Sequence, residues 1–547
     1  MADWALAAVH DVVAAAVPDR DMLICGEVRR TFGEVRDRSR GLASFFVSRG
    51  LGTHTDRSEL ERWENGQDPV ALVLHNGTEY IEAMLGAYRA RAVPFNVNQH
   101  YRPAELAALL TDVGPRAVVY HRRYGPLLTA ACDRSSVDTS ELVLVDVDDG
   151  SGFEPLPGST PYEQAVSTPV GDLPEPSPDD LYLVCTGGTT GRPKAVLWRQ
   201  ADIYCAAMAG TAEATADSIA ATARDNQAGP WYAVPPLMHA AAQWTAFSGL
   251  HAGAPVLVHE DATAFDAARV LGIAERERAS MMSLVGDAHV RPVIDELRRH
   301  PYDLSAMGMI GTGGAVTSEH LVDELLELLP HVLVVEGYGA SETGGMAYGG
   351  RVRGAAPAPL RPAVGATVVS ADLTRELDPG DDEIGWTARR GRVPLGYLGD
   401  RDTTEATFPI VAGERLSIPG DRARRRADES IEVLGRDSLV VNTGGEKVFV
   451  EEVELALLTH PDVADALVVG RPSERFGQEV VAVVAPRQGA ALDPAELREF
   501  VAARIARFKA PRAIAVCASV RRHASGKADY RWAKEVAADA VEATGNP

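Results

Sequence analysis

The sequence has few cysteines, no long apolar run and no excess of basic residues, and each shortage argues against a class of protein. Its cysteines are odd in number, scattered and without a CxxC pair, so neither a disulfide framework nor a cysteine-ligated metal centre is expected at Cys25, Cys132, Cys185, Cys205 and Cys517. No apolar stretch approaches the roughly 20 residues that cross a bilayer. The net charge of −23 argues against nucleic acid or an anionic membrane as the main partner.

The N-terminal stretch MADWALAAVHDVVAAAVPDRD also lacks the pattern of a secretory leader, because acidic residues accompany an amphipathic spacing. We expect a surface helix there. Together with the cysteine pattern, this predicts a soluble, cytoplasmic protein with no stable membrane insertion. The acidic balance does not exclude an anionic small molecule as ligand, since a local site can be positive on an acidic protein.

Apolar, β-rich runs alternate with helical stretches through most of the 547 residues. A run at 70–76 precedes a helical stretch, and a run at 116–121 follows a helix around 103–111. Helical periodicity over 321–329 leads into a strand at 332–339. This alternation predicts an α/β fold with largely parallel sheets.

Two irregular segments and one change of pattern divide the chain. A Pro/Gly/Ser-rich connection covers 151–178, and GAAPAPLRPAVG at 354–365 opens a region of short strands. The pattern changes at GRDSL (435–439) to a compact α+β arrangement that includes a helix at 494–507. A chain of this length is too long for one average domain, and we predict domains over 1–434 and 440–547.

A glycine- and threonine-rich turn, TGGTTGRPKAV over 186–196, follows an apolar strand. Glycines let backbone N–H groups turn toward an anion, hydroxyls add donors, and a lysine supplies charge. The commonest phosphate loop, GxxxxGKS or GxxxxGKT, does not fit, because two residues separate the last glycine from Lys194 and Ala195 replaces the hydroxyl. The turn therefore predicts a phosphate site of another kind.

Further turns with a polar or charged residue follow along the chain. PPLM precedes His239, the turn SETGG contains Glu342, IPGD ends on Asp421, and GRDS contains Arg436. A second glycine-rich turn, TGGEKVFVEEVE, enters a helix, and Lys527 follows a Ser-Gly pair near the C-terminus. Each motif alone is weak, and their order is the informative feature.

In this order and at these spacings, the motifs resemble the adenylate-forming superfamily of acyl-CoA synthetases, luciferases and peptide-synthetase adenylation domains. The likeness covers nearly the whole chain, from FGEVRDRSRGLA (32–43) through GAYRARAVPFNVNQHYRPAEL (86–106) to Lys527. It implies an α/β fold with a large N-terminal domain of stacked α/β subdomains plus a short-stranded β subdomain. It also implies a small, mobile α+β C-terminal domain joined through a hinge at 435–439.

The resemblance implies a two-step reaction that uses ATP, Mg²⁺ and coenzyme A. A carboxylate attacks the α-phosphate of ATP and gives acyl-AMP and pyrophosphate, and a thiol then displaces AMP. Catalysis of the first step is mostly positioning and neutralisation of charge. The implied partners are therefore a small carboxylic acid, ATP and CoA, with no nucleic acid.

The resemblance also implies roles for individual residues. The turn and Lys194 would hold the β- and γ-phosphates, Glu342 would bind Mg²⁺, and Asp421 would accept hydrogen bonds from the ribose. The set implied for ATP or AMP is Thr186, Gly187, Gly188, Thr189, Thr190, Gly191, Lys194, Tyr338, Gly339, Ala340, Ser341, Asp421 and Arg436. The implied catalytic residues are Lys194, Glu342 and Lys527, the last as a point charge against the carboxylate and the α-phosphate.

After adenylation, the family's C-terminal domain rotates, which would withdraw Lys527 from the site. The hinge residue would be Ser438, and the residues then presented to CoA would be Gly444, Gly445, Glu446 and Lys447. The chain departs from the family's usual residues at Ala195, Pro419 and Ser438, where glycine, threonine and a charged residue are common.

The acyl pocket is expected around His239, Gln243, Gly313 and Gly314, with His239 gating the acyl tunnel. Amino-acid-activating members usually carry an aspartate shortly after this histidine, and the stretch AAAQW has none. The chain looks most like actinobacterial acyl-CoA ligases for fatty acids and steroid side chains. We therefore expect a hydrophobic acid, either a steroid or cholate-like side-chain acid or a medium-to-long-chain fatty acid.

Several alternatives stay open at this stage. The enzyme could load a separate carrier protein instead of CoA, or the chain could be a non-catalytic binding module. Lys527 could belong to a solvated basic surface, and the RARRR run at 422–426 could be a solvated face or bind the CoA phosphate. Trp198 and Tyr204 favour packing over ligand binding. A homodimer is one alternative for the assembly.

Overall fold

The computed structural model describes residues 3–186, 194–260, 265–436, 439–443, 446–473, 477–523 and 526–540. Within these ranges, no helix is both long and apolar enough to cross a bilayer. The helices in the first part of the chain are α1 (Leu6–Ala16), α2 (Phe32–Ser48), α3 (Thr78–Arg89), α4 (Pro103–Val113), α5 (Gly125–Cys132), α6 (Tyr162–Val166), α7 (Gln200–Ala207) and α8 (Ala216–Asp225). Those that follow are α9 (Ala240–His251), α10 (Ala267–Arg276), α11 (Gly286–Arg299), α12 (Glu319–Leu328), α13 (Arg401–Thr407), α14 (Val450–Leu458), α15 (Pro494–Ala502) and α16 (Tyr530–Ala538).

The strands of the described residues form four sheets. Those up to residue 300 are β1 (Asp21–Cys25), β2 (Val28–Thr31), β3 (Pro69–Val73), β4 (Val93–Asn96), β5 (Ala117–His121), β6 (Val143–Val147), β7 (Thr160–Pro161), β8 (Leu181–Thr186), β9 (Lys194–Arg199), β10 (Trp231–Ala233), β11 (Val256–Val258) and β12 (Met281–Leu284). The next eight are β13 (Met309–Gly313), β14 (Leu333–Ala340), β15 (Gly344–Arg351), β16 (Arg361–Pro362), β17 (Ala366–Val369), β18 (Gly385–Arg390), β19 (Gly396–Tyr397) and β20 (Ile410–Val411). The last eight are β21 (Glu414–Ser417), β22 (Asp421–Arg425), β23 (Ile431–Arg436), β24 (Val440–Thr443), β25 (Glu446–Phe449), β26 (Val463–Ser473), β27 (Gly477–Pro486) and β28 (Ala513–Val516).

Two large sheets carry most of the fold, and both are parallel at their centres. The first has the strand order β16-β15-β14-β13-β12-β10-β11-β1-β2, and the second has the order β19-β9-β8-β4-β3-β5-β6-β7. Antiparallel pairs occur at the edges, where β15 follows β14, β2 follows β1, and β9 and β19 follow β8. The prediction of an α/β fold with largely parallel sheets is confirmed.

Two smaller sheets are built differently. One contains β20-β21-β18-β22-β23 with β17 paired to β18, and all of its pairs are antiparallel. The other contains β25-β24-β27-β26 with β28 parallel to β27, and α14, α15 and α16 pack around it. These are the short-stranded region and the α+β region that the sequence predicts. Their boundary at 435–439 stays a prediction.

Two local expectations need correction. The N-terminal helix α1 is mostly buried and not a surface helix, because it packs against α2, α8 and α9 and places Leu6, Val9 and Val13 in the main core. The helix expected over 494–507 ends at Ala502. The chain continues through a short 3₁₀ turn at Arg507–Lys509, so the helical pattern spans a break.

Close approach between helices requires a glycine at one point of this packing. Gly41 lies in α2, where an added Cβ would stand 1.9 Å from the carbonyl oxygen of Val166 at the end of α6. Gly272 in α10 is the opposite case, since an added Cβ would meet no atom within 4 Å. The two glycines share a helical backbone and differ only in their neighbours.

We predict that Gly41→Ala lowers the free energy of unfolding by about 1–3 kcal/mol, because the methyl group has to displace backbone. Gly272→Ala, the matched control, should raise it by about 0.5–1 kcal/mol, since alanine favours the helix. Urea unfolding followed by circular dichroism measures both. Equal stability of the two variants would show that α2 and α6 do not approach as described.

Candidate active site

Asp421 and Arg436 are brought together by the antiparallel pair of β22 and β23. The first residue of β22 lies opposite the last residue of β23, and Arg436 Nε is 3.3 Å from Asp421 Oδ1. The Tyr338 hydroxyl, at the end of β14, donates to Asp421 Oδ2 at 2.5 Å. Asp421 is 6% exposed, so these contacts fix a buried carboxylate beside a solvent-reachable guanidinium. This carboxylate can accept hydrogen bonds from vicinal hydroxyls.

Glu342 lies in the short turn between β14 and β15. The Ser417 hydroxyl donates to the Glu342 carbonyl oxygen at 2.5 Å, and the Tyr397 hydroxyl donates to its Oε1 at 2.9 Å. Thr343 Oγ1 accepts from the Ala340 amide at 3.0 Å and closes the turn. The carboxylate is therefore held in one orientation at the edge of the same cleft as Asp421.

Lys194 is the first residue of β9, paired opposite Thr186 at the end of β8. Its Nζ lies 5.0 Å from the centre of the Tyr397 ring. Ala195, which stands in place of the family's glycine, is 9% exposed, and its carbonyl accepts from the Leu398 amide at 2.9 Å. The methyl group is thus accommodated within the strand, and Lys194 remains at the mouth of the turn.

Two buried side chains hold the strands that carry these residues. The Trp198 indole donates to the carbonyl oxygen of Ser341 at 2.9 Å and links β9 to the Glu342 turn. Asn96 exchanges hydrogen bonds with the backbone of Cys185 at 2.8 Å and donates to the Met238 carbonyl at 2.6 Å. The sequence favours a packing role for Trp198, but no motif in the sequence indicates its hydrogen bond to Ser341. No sequence pattern indicates the hydrogen bonds of Asn96 either.

Lys527 reaches the cleft from the C-terminal region. It follows Gly526, which has a left-handed backbone (φ +77°) and lies against Val285 and Ala288 at the start of α11, within 3.2 Å of an added Cβ. The surrounding protein takes water away from the Lys527 ammonium and so lowers its pKa. The positive charge of the nearby Arg436 lowers this pKa further, whereas the negative charge of Glu342 raises it. The Lys527 side chain is itself exposed to solvent.

A second contact joins the C-terminal region to the end of β23. Glu451, in the first turn of α14, accepts from the Arg436 amide through Oε1 at 3.4 Å. Its Oε2 is buried without a hydrogen-bond partner among the described residues, and burial raises the pKa of this carboxyl. Arg522, close to Lys527 in the sequence, pairs with Asp465 at 2.6 Å and donates to the Gly526 carbonyl oxygen at 3.3 Å. These contacts orient the backbone just before Lys527.

His239 and Gln243 flank the start of α9. His239 Nε2 is buried without a hydrogen-bond partner among the described residues, and burial, Lys527 and His100 lower the pKa of His239 to about 3. The ring is therefore neutral at physiological pH. Gln243 accepts from the Tyr182 hydroxyl at 2.7 Å and donates to the Leu237 carbonyl at 2.8 Å. Its amide supports the turn before His239, and contact with an acyl chain stays a prediction.

Gly313 and Gly314 end β13. An added Cβ at Gly313 would stand 2.9 Å from the Gly337 carbonyl oxygen, so close strand packing alone requires a glycine there. Gly314 has φ +74°, and the nearest atom to an added Cβ is 3.9 Å away. Gly339 pairs with Gly345 across β14 and β15 and faces the Gly344 carbonyl closely. The pocket expected at Gly313 and Gly314 stays a prediction.

Several predicted positions lie outside the described residues. These are Gly187, Gly188, Thr189, Thr190 and Gly191 of the phosphate turn, the hinge residue Ser438, and Gly444 and Gly445 of the second turn. Glu446 and Lys447 lie in β25, where Thr443 pairs with Glu446, and nothing further is described for their side chains. The ATP- and CoA-binding roles of all these residues stay predictions.

A Mg²⁺ site built by the protein alone is not found, since the described residues contain no group of three or more His, Cys, Asp or Glu side chains arranged for a metal. Of the two carboxylates described at this site, Asp421 is bonded to Tyr338 and Arg436, and Glu342 accepts from the Tyr397 hydroxyl through one oxygen. This donor set fits Mg²⁺ bound mainly through substrate phosphates and water, because that ion commonly takes only one or two protein carboxylates.

The arginine run at 422–426 is paired with carboxylates. Arg425 contacts Glu376 at 2.8 Å, and Arg426 contacts Glu432 at 2.6 Å. Arg422 stacks over the Trp386 ring, with its guanidinium carbon 3.4 Å from the ring centre. These contacts support an ion-paired surface over a binding site for the CoA phosphate.

Comparison with known proteins places this cleft in a family. Residues 11–381 match the AMP-binding enzyme family, and residues 452–527 match the AMP-binding enzyme C-terminal domain. The chain is 44% identical over 544 residues to the medium-chain acyl-CoA ligase Mig of Mycobacterium avium, covering 97% of this chain and 98% of that protein. It is 35% identical over 538 residues to the 3-oxocholest-4-en-26-oate–CoA ligase of Rhodococcus rhodochrous, covering 95% of this chain and 93% of that protein.

Solved structures show the same fold. The anthranilate CoA ligase AuaEII in complex with anthranoyl-AMP superposes with a TM-score of 0.81 at 17% identity, covering 98% of this chain and 97% of that chain. ATP-bound MatB from Rhodopseudomonas palustris gives a TM-score of 0.78 at 23% identity, covering 97% and 99% of the two chains. With the family match over residues 11–381 and the 44% identity to the M. avium ligase, the chain belongs to the AMP-binding enzyme family.

Proposed function

We propose that the protein is an AMP-forming ligase that joins a hydrophobic carboxylic acid to coenzyme A and uses ATP. The observation that carries this proposal is the meeting of Lys194, Glu342, Asp421, Arg436 and Lys527, from distant parts of the chain, around one cleft. The cations there would hold the phosphates, and the carboxylates would hold the ribose and the metal. The acyl-CoA ligase names of the curated relatives support the same activity.

In the first step, the acid's carboxylate would attack the α-phosphorus of ATP. The new acyl–oxygen–phosphorus linkage forms as the bond from the α-phosphorus to the bridging oxygen of pyrophosphate breaks. An ionised carboxylate is already a nucleophile, so the step needs no protein base. Lys527 would stabilise the charge between carboxylate and α-phosphate, and Lys194 the charge on the leaving group. Mg²⁺ held at Glu342 would neutralise part of the charge on the phosphates.

In the second step, the thiol of coenzyme A would attack the acyl carbonyl carbon and expel AMP. For this step we propose a rotation of the domain 440–547 against the domain 1–434 about Ser438, which would bring Gly444, Gly445, Glu446 and Lys447 toward the thiol. The contact between Glu451 and the Arg436 amide would break in that rotation. Lys527 would leave the cleft at the same time.

We propose a medium-to-long-chain fatty acid or a steroid side-chain acid as the substrate. The relative from M. avium is named a medium-chain acyl-CoA ligase, and the one from R. rhodochrous is named for a steroid side-chain acid. The first turn of α9 contains no acidic residue that could pair with an α-amino group. A cytoplasmic location is part of the proposal, and a homodimer stays an untested alternative.

A CoA-dependent screen of AMP release tests the substrate class. The acids are acetate, octanoate, palmitate, cholate, cholestenoate and benzoate, each assayed at several concentrations to give kcat/KM. We expect the highest values for octanoate, palmitate or the steroid acids, because each buried methylene adds about 0.8 kcal/mol of favourable transfer. Activity on acetate or benzoate alone would exclude a hydrophobic acid. Acyl-AMP formation that CoA hardly accelerates would favour the carrier-loading alternative.

Measuring the two half-reactions separately tests whether Lys527 acts in adenylation alone. We predict that Lys527→Ala slows acyl-adenylate formation by about 10²–10³-fold, because a preorganised charge at the transition state is lost. Thioester formation from preformed acyl-AMP should stay near the wild-type rate, since Lys527 is withdrawn in that step. Lys534→Ala, an exposed lysine of α16, is the control and should change neither rate. Unchanged adenylation in Lys527→Ala would remove this lysine from the catalytic site.

A further inference from the structure

We propose that Tyr397 is a positioning residue for the pyrophosphate end of the ATP site, because one side chain holds both Glu342 and Lys194. The inference rests on the proposed function and adds to it a residue that the motif analysis did not select. The Tyr397 hydroxyl donates to Glu342 Oε1 at 2.9 Å. The ammonium of Lys194 lies 5.0 Å from the centre of the same ring.

The backbone fixes Tyr397 against the strand that carries Lys194. β19 pairs antiparallel with β9, with Tyr397 opposite Val196. The Leu395 amide donates to Leu197 O at 2.7 Å, and the Leu398 amide donates to Ala195 O at 2.9 Å. The ladder therefore continues to the residue next to Lys194, and the ring cannot move relative to that lysine without breaking it.

The other side of Tyr397 is held by α13. The Tyr397 amide donates to Thr404 Oγ1 at 2.9 Å, and the Phe408 ring lies 5.8 Å from the tyrosine ring. An added Cβ at the neighbouring Gly396 would stand 2.5 Å from the Thr404 methyl carbon, so the segment lies tightly on the helix. Tyr397 itself is 5% exposed. Its hydroxyl is thus a fixed donor aimed at the cleft.

Tyr397 links Glu342 and Lys194, which would both act on the phosphates of ATP. The hydrogen bond to Oε1 restricts the orientation of the Glu342 carboxylate, whose Oε2 lies outside this bond and would ligate Mg²⁺. The face of an aromatic ring attracts the Lys194 ammonium and restricts its reach. Tyr397 therefore contacts both the carboxylate that would bind the metal and the lysine that would bind the phosphates. If Tyr397 only filled the core, replacing it would not change the binding of metal or phosphate selectively.

The test compares Tyr397→Phe with wild type by titration calorimetry, using ATP with Mg²⁺ and ATP with EDTA as separate probes. Loss of the hydroxyl should weaken binding of Mg·ATP by about 10-fold, as loss of an outer partner of a metal ligand commonly does. Binding of metal-free ATP should stay within about twofold, because the ring beneath Lys194 remains. Tyr302→Phe, which removes a distant hydroxyl bonded to Glu296, is the control and should match wild type.

Tyr397→Leu removes the ring as well, and we expect it to weaken binding of metal-free pyrophosphate too. A double-mutant cycle with Glu342→Gln provides a second measurement: Tyr397→Phe should cost little more once the carboxylate is gone. Equal losses with and without Mg²⁺ would overturn the positioning role. So would a lower unfolding temperature of Tyr397→Phe with unchanged Mg·ATP affinity, which is the outcome of a purely structural residue.

The rates of the two half-reactions test whether Tyr397 affects catalysis as well as ATP binding. Tyr397→Phe should slow adenylation by about the factor lost in Mg·ATP binding and leave thioester formation from preformed acyl-AMP unchanged. The binding experiments need no acid substrate, so they stand even if wild type activates none of the acids screened. Adenylation by wild type with no Mg²⁺-dependent difference in Tyr397→Phe would leave the proposed function intact and reject the role of Tyr397.

Discussion

The cleft depends on one constraint: two positively charged side chains lie close together on a protein whose net charge is negative. Arg436 and Lys527 come from opposite sides of the predicted hinge, and the field of Arg436 together with lost solvation lowers the pKa of Lys527. The chain as a whole carries a net charge of −23, so this positive region is local. Two cations in a partly dehydrated cleft repel each other, and a polyanion between them relieves that repulsion. This relief of repulsion agrees with the proposal that the site binds ATP.

The remaining contacts around the cleft keep these charges in place. Asp421 is fixed by the Tyr338 hydroxyl and pairs with Arg436, while Glu342 is fixed by Tyr397. The left-handed Gly526 allows the last loop to lie against α11. The contact of Glu451 with the Arg436 amide then spans the predicted hinge. The proposed rotation that withdraws Lys527 would break this contact.

The sequence predicts the fold class and marks out the charged residues near its turns, for a physical reason. Strand-to-turn transitions and glycines are local patterns, so Lys194, Glu342, Asp421, Arg436 and Lys527 could be picked out as turn residues before their meeting was seen. The α/β class followed from the alternation of apolar runs in the same way.

Contacts between distant side chains leave no such local pattern. Tyr397 meets Glu342 across 55 positions, and the Trp198 indole meets the Ser341 carbonyl across 143. The expectation that α1 is a surface helix was also wrong. The spacing of apolar residues shows that a helix has one apolar face, but it does not show how many other elements pack on that helix. The close approach of the Gly337 carbonyl oxygen to Gly313, which by itself favours a glycine there, also leaves no mark in the sequence, and the acyl-pocket role of Gly313 stays a prediction. Such features depend on the tertiary fold alone.

The central claim is that this cleft activates a carboxylate by adenylation before any thiol takes part. A single-turnover reaction without coenzyme A tests it most directly, with octanoate, excess enzyme and ATP radiolabelled at the α-phosphate. The account predicts that the label appears in acyl-AMP with an equal amount of pyrophosphate, and moves to free AMP as octanoyl-CoA forms when CoA is added. Label in ADP, or no turnover until CoA is present, would contradict it.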